Sequence, residues 1–183
     1  MKVLIFDDMQ QCTEAEINRL LPLVSEQRRQ QAIQFKHTFG QFACLKAYEM
    51  LMSLTNASTP LIFTYNEHGK PFAPSIYFSI SHCKNGIAVA TSEQPIGIDI
   101  ESISNHDEGL IKTTMNDCEA AKIHNADNPA LEFTKLWTQK EAVLKLRGTG
   151  ITDNLPHVLN GDETIETHVN LEKGYAYSIA TQQ

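Results

Sequence analysis

The sequence of 183 residues lacks any apolar run approaching the roughly 20 residues that a membrane-spanning helix requires. Its first residues, MKVLIFDDM, turn acidic after a short apolar run, which is unlike a secretory signal peptide. The four cysteines are scattered without a C-x-x-C pair, so they indicate neither a zinc knuckle nor a disulfide framework. These absences predict a cytoplasmic protein with reduced thiols and no membrane partner.

Positive charge is also scarce in this sequence. Fifteen Lys and Arg residues face 22 Asp and Glu residues, which gives a formal net charge of -7. Because broad nucleic-acid binding relies on a basic surface that neutralises phosphates, this balance argues against a nucleic-acid partner, but it leaves room for a local phosphate site. A content of 42% hydrophobic and 20% charged residues is typical of a globular chain with a buried core.

The order of the predicted elements repeats once along the chain. Each half opens with an apolar strand that ends in acids, VLIFDD and then IGIDIE, and closes with strands that include GIAVAT and GYAYSIAT. Helical regions lie between them, from about Glu14 to Leu54 and from about Glu108 to Arg147. We therefore predict an α+β fold of two similar α+β halves, residues 1–93 and 94–183, with a site between them.

The stretch PIGIDIESI alternates isoleucine with Gly97, Asp99 and Glu101. Read as a strand, this pattern turns the isoleucines toward a core and both carboxylates to the opposite face. Carboxylates about 7 Å apart on one face can converge on a hard divalent cation. The same pattern equally fits solvated acids on an exposed strand face.

The stretch LWTQKEAVLKLRGTG predicts a helix with an apolar stripe that ends near Gly148 and Gly150. Glu141 and Lys145 are spaced as an ordinary surface ion pair, and they also lie at the border of the apolar stripe. Lys140 falls inside the stripe, where an ammonium must reach solvent or find an anion, for which a buried phosphate would serve.

Two turn motifs precede these stretches. YFSISHCKNG predicts a β-hairpin with a tight turn at Asn85-Gly86 and with Ser81 and His82 near its tip. HGKP predicts a second turn, which holds Lys70 between a glycine and Pro71. Taken singly, each motif also fits ordinary surface turn residues.

Taken in order, the motifs G-K-P, S-H, G-I-D-I-E and W-x-x-K-E-A-x-x-K resemble those of the 4′-phosphopantetheinyl transferases of the surfactin-synthetase-activating (Sfp) type. Here they are residues 69–71, 81–82, 97–101 and 137–145. The resemblance extends over nearly the whole chain. It implies a pseudo-twofold arrangement of the two α+β halves, with the active site in the cleft between them.

The resemblance also implies an activity. The protein would transfer the 4′-phosphopantetheine arm of coenzyme A to a serine of an apo acyl or peptidyl carrier protein and release 3′,5′-ADP, with Mg²⁺. Asp99, Glu101 and Glu141 match the family's metal-binding acids, and oxygen ligands of this kind suit Mg²⁺. Glu141 also matches the proposed general base for the carrier serine, and Lys145 matches a lysine on the coenzyme A phosphates.

Further implied contacts to coenzyme A come from residues before the middle of the chain, with Lys140 supporting the same region. They are Arg28, Lys70, Pro71, Ser81 and His82. Gln31, Gln41 and Cys44 depart from the family pattern, where Lys, Arg or Thr is common. The segment 110–115 resembles the carrier-docking region, in which Lys112 and Met115 are the candidate contacts.

Two other functions use the same residues. A magnesium-dependent nucleotide pyrophosphohydrolase would attack with water in place of serine, and a non-catalytic module would bind coenzyme A or a carrier without chemistry. Because both halves of the cleft belong to one chain, we expect a monomer.

Overall fold

The computed structural model describes residues 1–55, 59–151 and 154–182, so each expected half includes positions outside the description. Helices and strands both contribute, which confirms the α+β class. The elements in chain order are β1 (Lys2–Phe6), α1 (Glu14–Leu20), α2 (Glu26–Ile33), α3 (Thr38–Thr55), β2 (Thr64–Tyr65), β3 (Pro71–Phe72), β4 (Tyr77–Cys83), β5 (Gly86–Ser92), β6 (Ile96–Ser102), α4 (Glu108–Thr114), α5 (Asp117–His124), α6 (Pro129–Arg147), β7 (Thr164–Asn170) and β8 (Tyr175–Thr181). Among these helices, none is long and apolar enough to cross a membrane.

Two antiparallel sheets organise the chain. In the first sheet β5 lies between β1 and β4, and in the second sheet β8 lies between β6 and β7. In both sheets the strand that comes first in sequence, β1 or β6, therefore pairs with the second strand of the hairpin that follows later in sequence, β5 or β8. A separate ribbon of β2 and β3 connects the helices to the first sheet.

The hairpin of β4 and β5 turns one residue earlier than predicted. Cys83 pairs with Gly86, so Lys84 and Asn85 form the turn and Gly86 is already part of β5. A Cβ atom at Gly86 would lie 3.0 Å from Ile100 Cδ1, so this glycine permits close packing of β5 on the second sheet. Ser81 and His82 therefore lie within β4 and not at a loop tip.

Local stop signals divide both of the predicted helical regions. After α1, a 3-10 turn containing Pro22 leads to Ser25, whose side chain caps α2. Between α4 and α5, Asn116 caps α5 and Glu119 completes a capping box. The predicted end of α6 is confirmed, since Gly148 adopts a φ of 71° as its C-cap.

The two sheets pack face to face through alternate residues of their strands. Ile98 and Ile100 of β6 share a buried apolar cluster with Ala88 and Ala90 of β5. The outer face of the first sheet carries α3, and the outer face of the second sheet carries α6. The predicted alternation in β6 is thus confirmed, and its acidic face is directed toward α6.

Candidate active site

A glycine brings α6 into direct contact with β6. A Cβ atom at Gly97 would overlap the carbonyl oxygen of Ala142 and would lie 2.5 Å from the Leu146 nitrogen. The helix therefore crosses the strand where Gly97 meets Ala142, the residue that follows Glu141. Because Asp99 and Glu101 share the strand face of Gly97, the carboxylates of β6 and α6 meet beside this crossing.

Asp99, Lys145 and Ser81 form a closed ring of short polar contacts. Lys145 Nζ lies 2.6 Å from Asp99 Oδ1 and 2.7 Å from Ser81 Oγ, and Ser81 Oγ donates to Asp99 Oδ1 at 2.7 Å. The Asp99 side chain is 3% exposed and that of Lys145 is 29% exposed. This is a charge-assisted network in a largely water-excluded position, so it holds the Asp99 carboxylate firmly.

Two carboxylate oxygens beside this ring are buried and unsatisfied. Asp99 Oδ2 and Glu141 Oε1 have no hydrogen-bond partner among the described residues. Burying a charged acceptor without a partner is unfavourable, so native structures rarely retain one without a reason. Two such oxygens on neighbouring elements are the arrangement that a bound cation would satisfy.

The electrostatics of the three acids show their mutual proximity. Burial, followed by the charge of Asp99, raises the pKa of Glu101 to about 7, and Glu141 adds to this effect while Lys145 opposes it. Burial and the charge of Asp99 also raise the pKa of Glu141. Uncompensated negative charge therefore accumulates here, which favours a cationic ligand.

These acids open into one cavity of about 500 Å³, which we call the carboxylate cavity. From β6 and α6 it receives Asp99, Glu101, Glu141 and Lys145. From the earlier part of the chain it receives the predicted residues Arg28, Pro71, Ser81 and His82. A second cavity of about 300 Å³ shares Glu141, Lys145 and Pro71 and adds Lys70. The structure thus brings together nine of the ten predicted site residues at two adjoining cavities.

Arg28 is held in place by two of the residues that depart from the family pattern, Gln31 and Cys44. Its Nε donates to the Cys44 carbonyl at 3.0 Å, and its Nη1 donates to Gln31 Oε1 at 2.8 Å. The guanidinium also lies over the Phe63 ring, 5.6 Å from its centroid. Gln31 and Cys44 therefore orient a cation at the cavity wall. Gln31 also accepts a longer hydrogen bond, at 3.3 Å, from the hydroxyl of Tyr65.

Lys70 contacts the end of α6 from the ribbon of β2 and β3. Its Nζ donates to the Leu146 carbonyl at 3.1 Å, and Asn66 Nδ2 donates to the Gly148 carbonyl at 2.8 Å. Burial lowers the pKa of Lys70. The ribbon therefore supplies donors to carbonyl groups at the C-terminus of the helix, which lack partners within the helix.

Lys140 lies away from both cavities, which corrects its expected role near coenzyme A. Its side chain is fully buried, and Nζ lies 2.8 Å from Glu119 Oε2 and donates to the Leu155 carbonyl at 2.9 Å. The anion that this buried ammonium requires is therefore Glu119 and not phosphate. The N-D-C-E sequence at residues 116–119 was a readable capping signal, but it gave no sign that Glu119 would also pair with Lys140.

The positions of the side chains test the expected metal site directly. Across residues 1–55, 59–151 and 154–182, no three His, Cys, Asp or Glu side chains are gathered as a metal ion would need. The donor chemistry still fits a hard cation, since three carboxylates line one cavity and two of them present unsatisfied oxygens. The ammonium of Lys145 is the cation that contacts Asp99 here.

The expected carrier-docking segment is largely helix α4. Met115 follows it and is only 4% exposed, whereas Lys112 is exposed on its surface. Met115 is thus a core residue, and Lys112 is the accessible one of the two candidates. The sequence did not reveal the apolar rim of the carboxylate cavity, formed by Phe35, Tyr65 and Ile151, because isolated apolar residues carry no recognisable pattern.

Comparison with known proteins gives consistent matches. Residues 95–180 match the family described as the 4′-phosphopantetheinyl transferase superfamily. The 4′-phosphopantetheinyl transferase gsp of Aneurinibacillus migulanus is 32% identical over 120 residues, which cover 64% of this chain and 50% of the relative. The 4′-phosphopantetheinyl transferase Sfp of Bacillus subtilis strain 168 is 25% identical over 150 residues, 76% of this chain and 67% of the relative.

A third relative, the 4′-phosphopantetheinyl transferase AcpT of Escherichia coli K12, is 34% identical over 107 residues, 54% of each chain. This chain spans between half and two thirds of the length of these three relatives. The region matched by the family contains Asp99, Glu101, Glu141 and Lys145. Residues 95–180 of this chain are therefore similar to the 4′-phosphopantetheinyl transferase superfamily, and the chain is similar to three transferases of that name over between 54% and 76% of its length.

Proposed function

We propose that this protein transfers the 4′-phosphopantetheine arm of coenzyme A to a serine of an apo acyl or peptidyl carrier protein and releases 3′,5′-ADP. The observation that carries the proposal is the carboxylate cavity. There Asp99 and Glu141 present unsatisfied oxygens beside Lys145, and Arg28 and His82 approach from the earlier part of the chain. Acids of this kind with adjoining cations suit a pyrophosphate substrate.

We further propose that residues 1–93 and 94–183 form two similar halves in a pseudo-twofold arrangement. The shared strand order of the two sheets supports this division. So does the face-to-face packing of β5 on β6, which places the carboxylate cavity where both sheets contribute residues. We assign the coenzyme A contacts mainly to the first half and the metal site and carrier docking to the second.

Asp99, Glu101 and Glu141 are the residues that we assign to Mg²⁺. The buried, unsatisfied oxygens of Asp99 and Glu141 support this role. So do the raised pKa values of Glu101 and Glu141, because a cation would relieve the repulsion between the carboxylates. Bound there, Mg²⁺ would neutralise the pyrophosphate and stabilise the charge on the departing 3′,5′-ADP.

Glu141 is our candidate for the general base. In the reaction the serine oxygen forms a bond to the β-phosphorus of coenzyme A, and the bond from that phosphorus to the oxygen bridging to 3′,5′-ADP breaks. The serine proton passes to a carboxylate oxygen of Glu141, which lines the cavity where we propose that the transfer occurs. Lys145 donates hydrogen bonds to the phosphates and so offsets charge that develops on the leaving group.

Arg28, Lys70, Pro71 and His82 are the proposed coenzyme A contacts of the first half, and Ser81 lies beside them at the carboxylate cavity. Arg28 is oriented by Gln31 and Cys44, so it requires little reorganisation to meet a phosphate. His82 is exposed at the cavity, with its ring edge-on to Phe39 at 5.6 Å between centroids. All the residues named for the site come from one chain, which supports a monomer, and the free cysteines suit the reducing cytoplasm.

The direct test is intact-mass analysis of apo carrier proteins incubated with this protein, coenzyme A and Mg²⁺, with EDTA in a parallel reaction. We expect the carrier mass to rise by one phosphopantetheine group, and EDTA to abolish the gain. Asp99→Ala and Glu141→Gln should lower the rate at least about 100-fold while remaining folded. Glu132→Gln is the matched control, because Glu132 lies on the same helix but pairs with Lys135 at 2.7 Å.

The alternative functions give different results in the same reactions. Formation of 3′,5′-ADP without labelled carrier would replace the transferase with the pyrophosphohydrolase. If the protein bound coenzyme A but formed neither 3′,5′-ADP nor modified carrier with any of several apo carriers, the result would favour the non-catalytic module.

A further inference from the structure

Ser81 joins the two sheets at the carboxylate cavity. It belongs to β4 of the first sheet, is 7% exposed, and donates to Asp99 Oδ1 on β6 at 2.7 Å. Lys145 Nζ donates to the same hydroxyl oxygen, also at 2.7 Å. A serine hydroxyl carries a single proton, so its donor capacity is committed to Asp99.

This commitment bears on the assignment of Ser81 as a phosphate contact. Phosphate oxygens accept hydrogen bonds, so Ser81 could donate to one only by releasing Asp99 Oδ1. Lys145 has three ammonium hydrogens and uses two of them on Asp99 and Ser81, so one remains for a phosphate oxygen. The hydroxyl of Ser81 is therefore suited to holding the carboxylate and poorly suited to holding coenzyme A.

The two carboxylate oxygens of Asp99 differ in the number of hydrogen bonds that they accept. Oδ1 accepts from both Ser81 and Lys145, whereas Oδ2 is buried without a partner among the described residues. Two donors on one oxygen set the rotation of the carboxylate about its χ2 angle. They therefore also decide that Oδ2 is the oxygen left for another ligand.

We propose that Ser81 is a positioning residue, which orients Asp99 so that Oδ2 can bind the divalent cation. This inference rests on the proposed function, since it takes Asp99 as a metal ligand. Outer partners of ligating carboxylates commonly contribute a factor of about 10 to 100 in metal affinity. The first sheet thereby contributes to metal binding through Ser81, although the three candidate ligands lie on β6 and α6.

A second serine on the same strand gives a matched control. Ser79 lies two residues before Ser81, on the same face of β4, and is 5% exposed. Its Oγ accepts a hydrogen bond from the Ile98 nitrogen at 3.0 Å. Ser79 thus also joins β4 to β6 through its hydroxyl, but its partner is backbone and not the carboxylate.

The test measures Mn²⁺ affinity by electron paramagnetic resonance, without coenzyme A or carrier, so that it does not depend on catalysis. We expect Ser81→Ala to weaken Mn²⁺ binding about tenfold or more and Ser79→Ala to leave it within about twofold. Ser81→Thr and Ser81→Val have nearly equal volume, so a larger loss in the valine variant isolates the hydroxyl from any packing defect. In parallel, 3′,5′-ADP binding in EDTA should remain within about twofold of wild type in Ser81→Ala.

Several outcomes would overturn the inference. Wild-type Mn²⁺ affinity in Ser81→Ala, with weakened 3′,5′-ADP binding, would return Ser81 to the phosphate site and leave the proposed function intact. Equal losses in the Thr and Val variants, or in Ser79→Ala, would reduce Ser81 to a packing contact. Failure of the wild-type protein to bind Mn²⁺ would remove the metal from the proposed function as well.

Discussion

Gly97 of β6 lies directly against Ala142 of α6, and a Cβ atom at Gly97 would overlap the Ala142 carbonyl oxygen. This contact sets the separation between the strand that carries Asp99 and the helix that carries Glu141. Because the blocking atom is backbone, a rotamer change in a side chain cannot relieve the overlap. The geometry of the carboxylate cavity therefore depends on the absence of a side chain at one position.

Replacement of Gly97 with alanine should separate α6 from β6. We expect Gly97→Ala to lower the free energy of unfolding by about 1–3 kcal/mol, as overpacking of a core typically does, and to weaken Mn²⁺ binding. Urea unfolding and Mn²⁺ titration measure the two effects. Adding Ala142→Gly to Gly97→Ala should not restore stability, because the second substitution leaves the carbonyl of residue 142 in place. Recovery in that double variant would show that the side chain of Ala142, and not the backbone, causes the clash.

Stability of the metal-free protein should depend on the ionisation of Glu101. Its pKa is raised from 4.5 to about 7, chiefly by burial and then by Asp99. A group whose pKa is higher in the folded chain contributes stability below pH 4.5, and this contribution is lost as the pH rises to about 7. In EDTA at pH 8, the free energy of unfolding of Glu101→Gln should therefore exceed that of wild type by about 1–2 kcal/mol. The effect is this modest because the partly exposed carboxylate is screened by solvent.

Urea unfolding at pH 5 and pH 8 measures this difference for Glu101→Gln, with the exposed Glu93→Gln as control. The advantage of Glu101→Gln should shrink at pH 5, where the folded carboxyl is already neutral. Excess Mg²⁺ at pH 8 should reverse it, since binding to folded wild type is favoured. If Glu101→Gln were more stable than wild type by the same amount at both pH values, the difference would not arise from the ionisation of Glu101.

The pair of Lys140 and Glu119 should act as a structural unit and not as a ligand site. Glu119 Oε2 also accepts from the Asn116 nitrogen at 2.9 Å, so Glu119→Gln can preserve an acceptor there while removing the charge. Removing one charge of a buried pair typically costs about 3–5 kcal/mol because the other stays uncompensated. We therefore expect large losses in Lys140→Met and Glu119→Gln, and recovery of much of this loss when the two are combined.

Chemical denaturation of the two single variants and the double variant gives their coupling energy. Binding of 3′,5′-ADP to folded Lys140→Met, below its unfolding transition, should equal that of wild type. Selective loss of this binding without loss of stability would restore Lys140 to the coenzyme A site.

The contact between the ribbon and the end of α6 should affect substrate binding more than chemistry. Asn66→Ala removes the donor to the Gly148 carbonyl, which should cost about 1 kcal/mol of stability. Because Lys70 and Pro71 belong to the same ribbon, we expect KM for coenzyme A to rise several-fold while kcat changes less than about twofold. Steady-state kinetics at saturating carrier would test this, with Glu67→Ala on the same turn as control. An equal fall in kcat would place the defect at the carboxylates instead.

Short-range patterns predicted much of the fold. Alternation in β6 correctly placed the isoleucines opposite Asp99 and Glu101, and the glycine after Arg147 correctly ended α6. These features depend on neighbours in sequence, where strand and helix periods are visible. The breaks in the helical regions were also readable, from Pro22 and from the capping residues, although the prediction merged the helices.

Partners distant in sequence were not predictable in the same way. Lys140 lies 21 residues after Glu119, and nothing in either local pattern indicates that they meet. Arg28 is likewise oriented by the Cys44 carbonyl, a backbone group that every residue possesses. Such pairings follow from how helices and sheets pack, so they become visible only in three dimensions.

The two donors that cover the end of α6 also have a consequence for the order of assembly. Asn66 and Lys70 precede the carbonyl groups they contact by 82 and 76 residues. During synthesis on the ribosome the ribbon is made first, so the helix emerges when its capping groups already exist. A circular permutant that begins at residue 94 would reverse this order. In that permutant α6 would be made before its caps, and we expect it to become protected from proteolysis later during synthesis even where the final structure is the same.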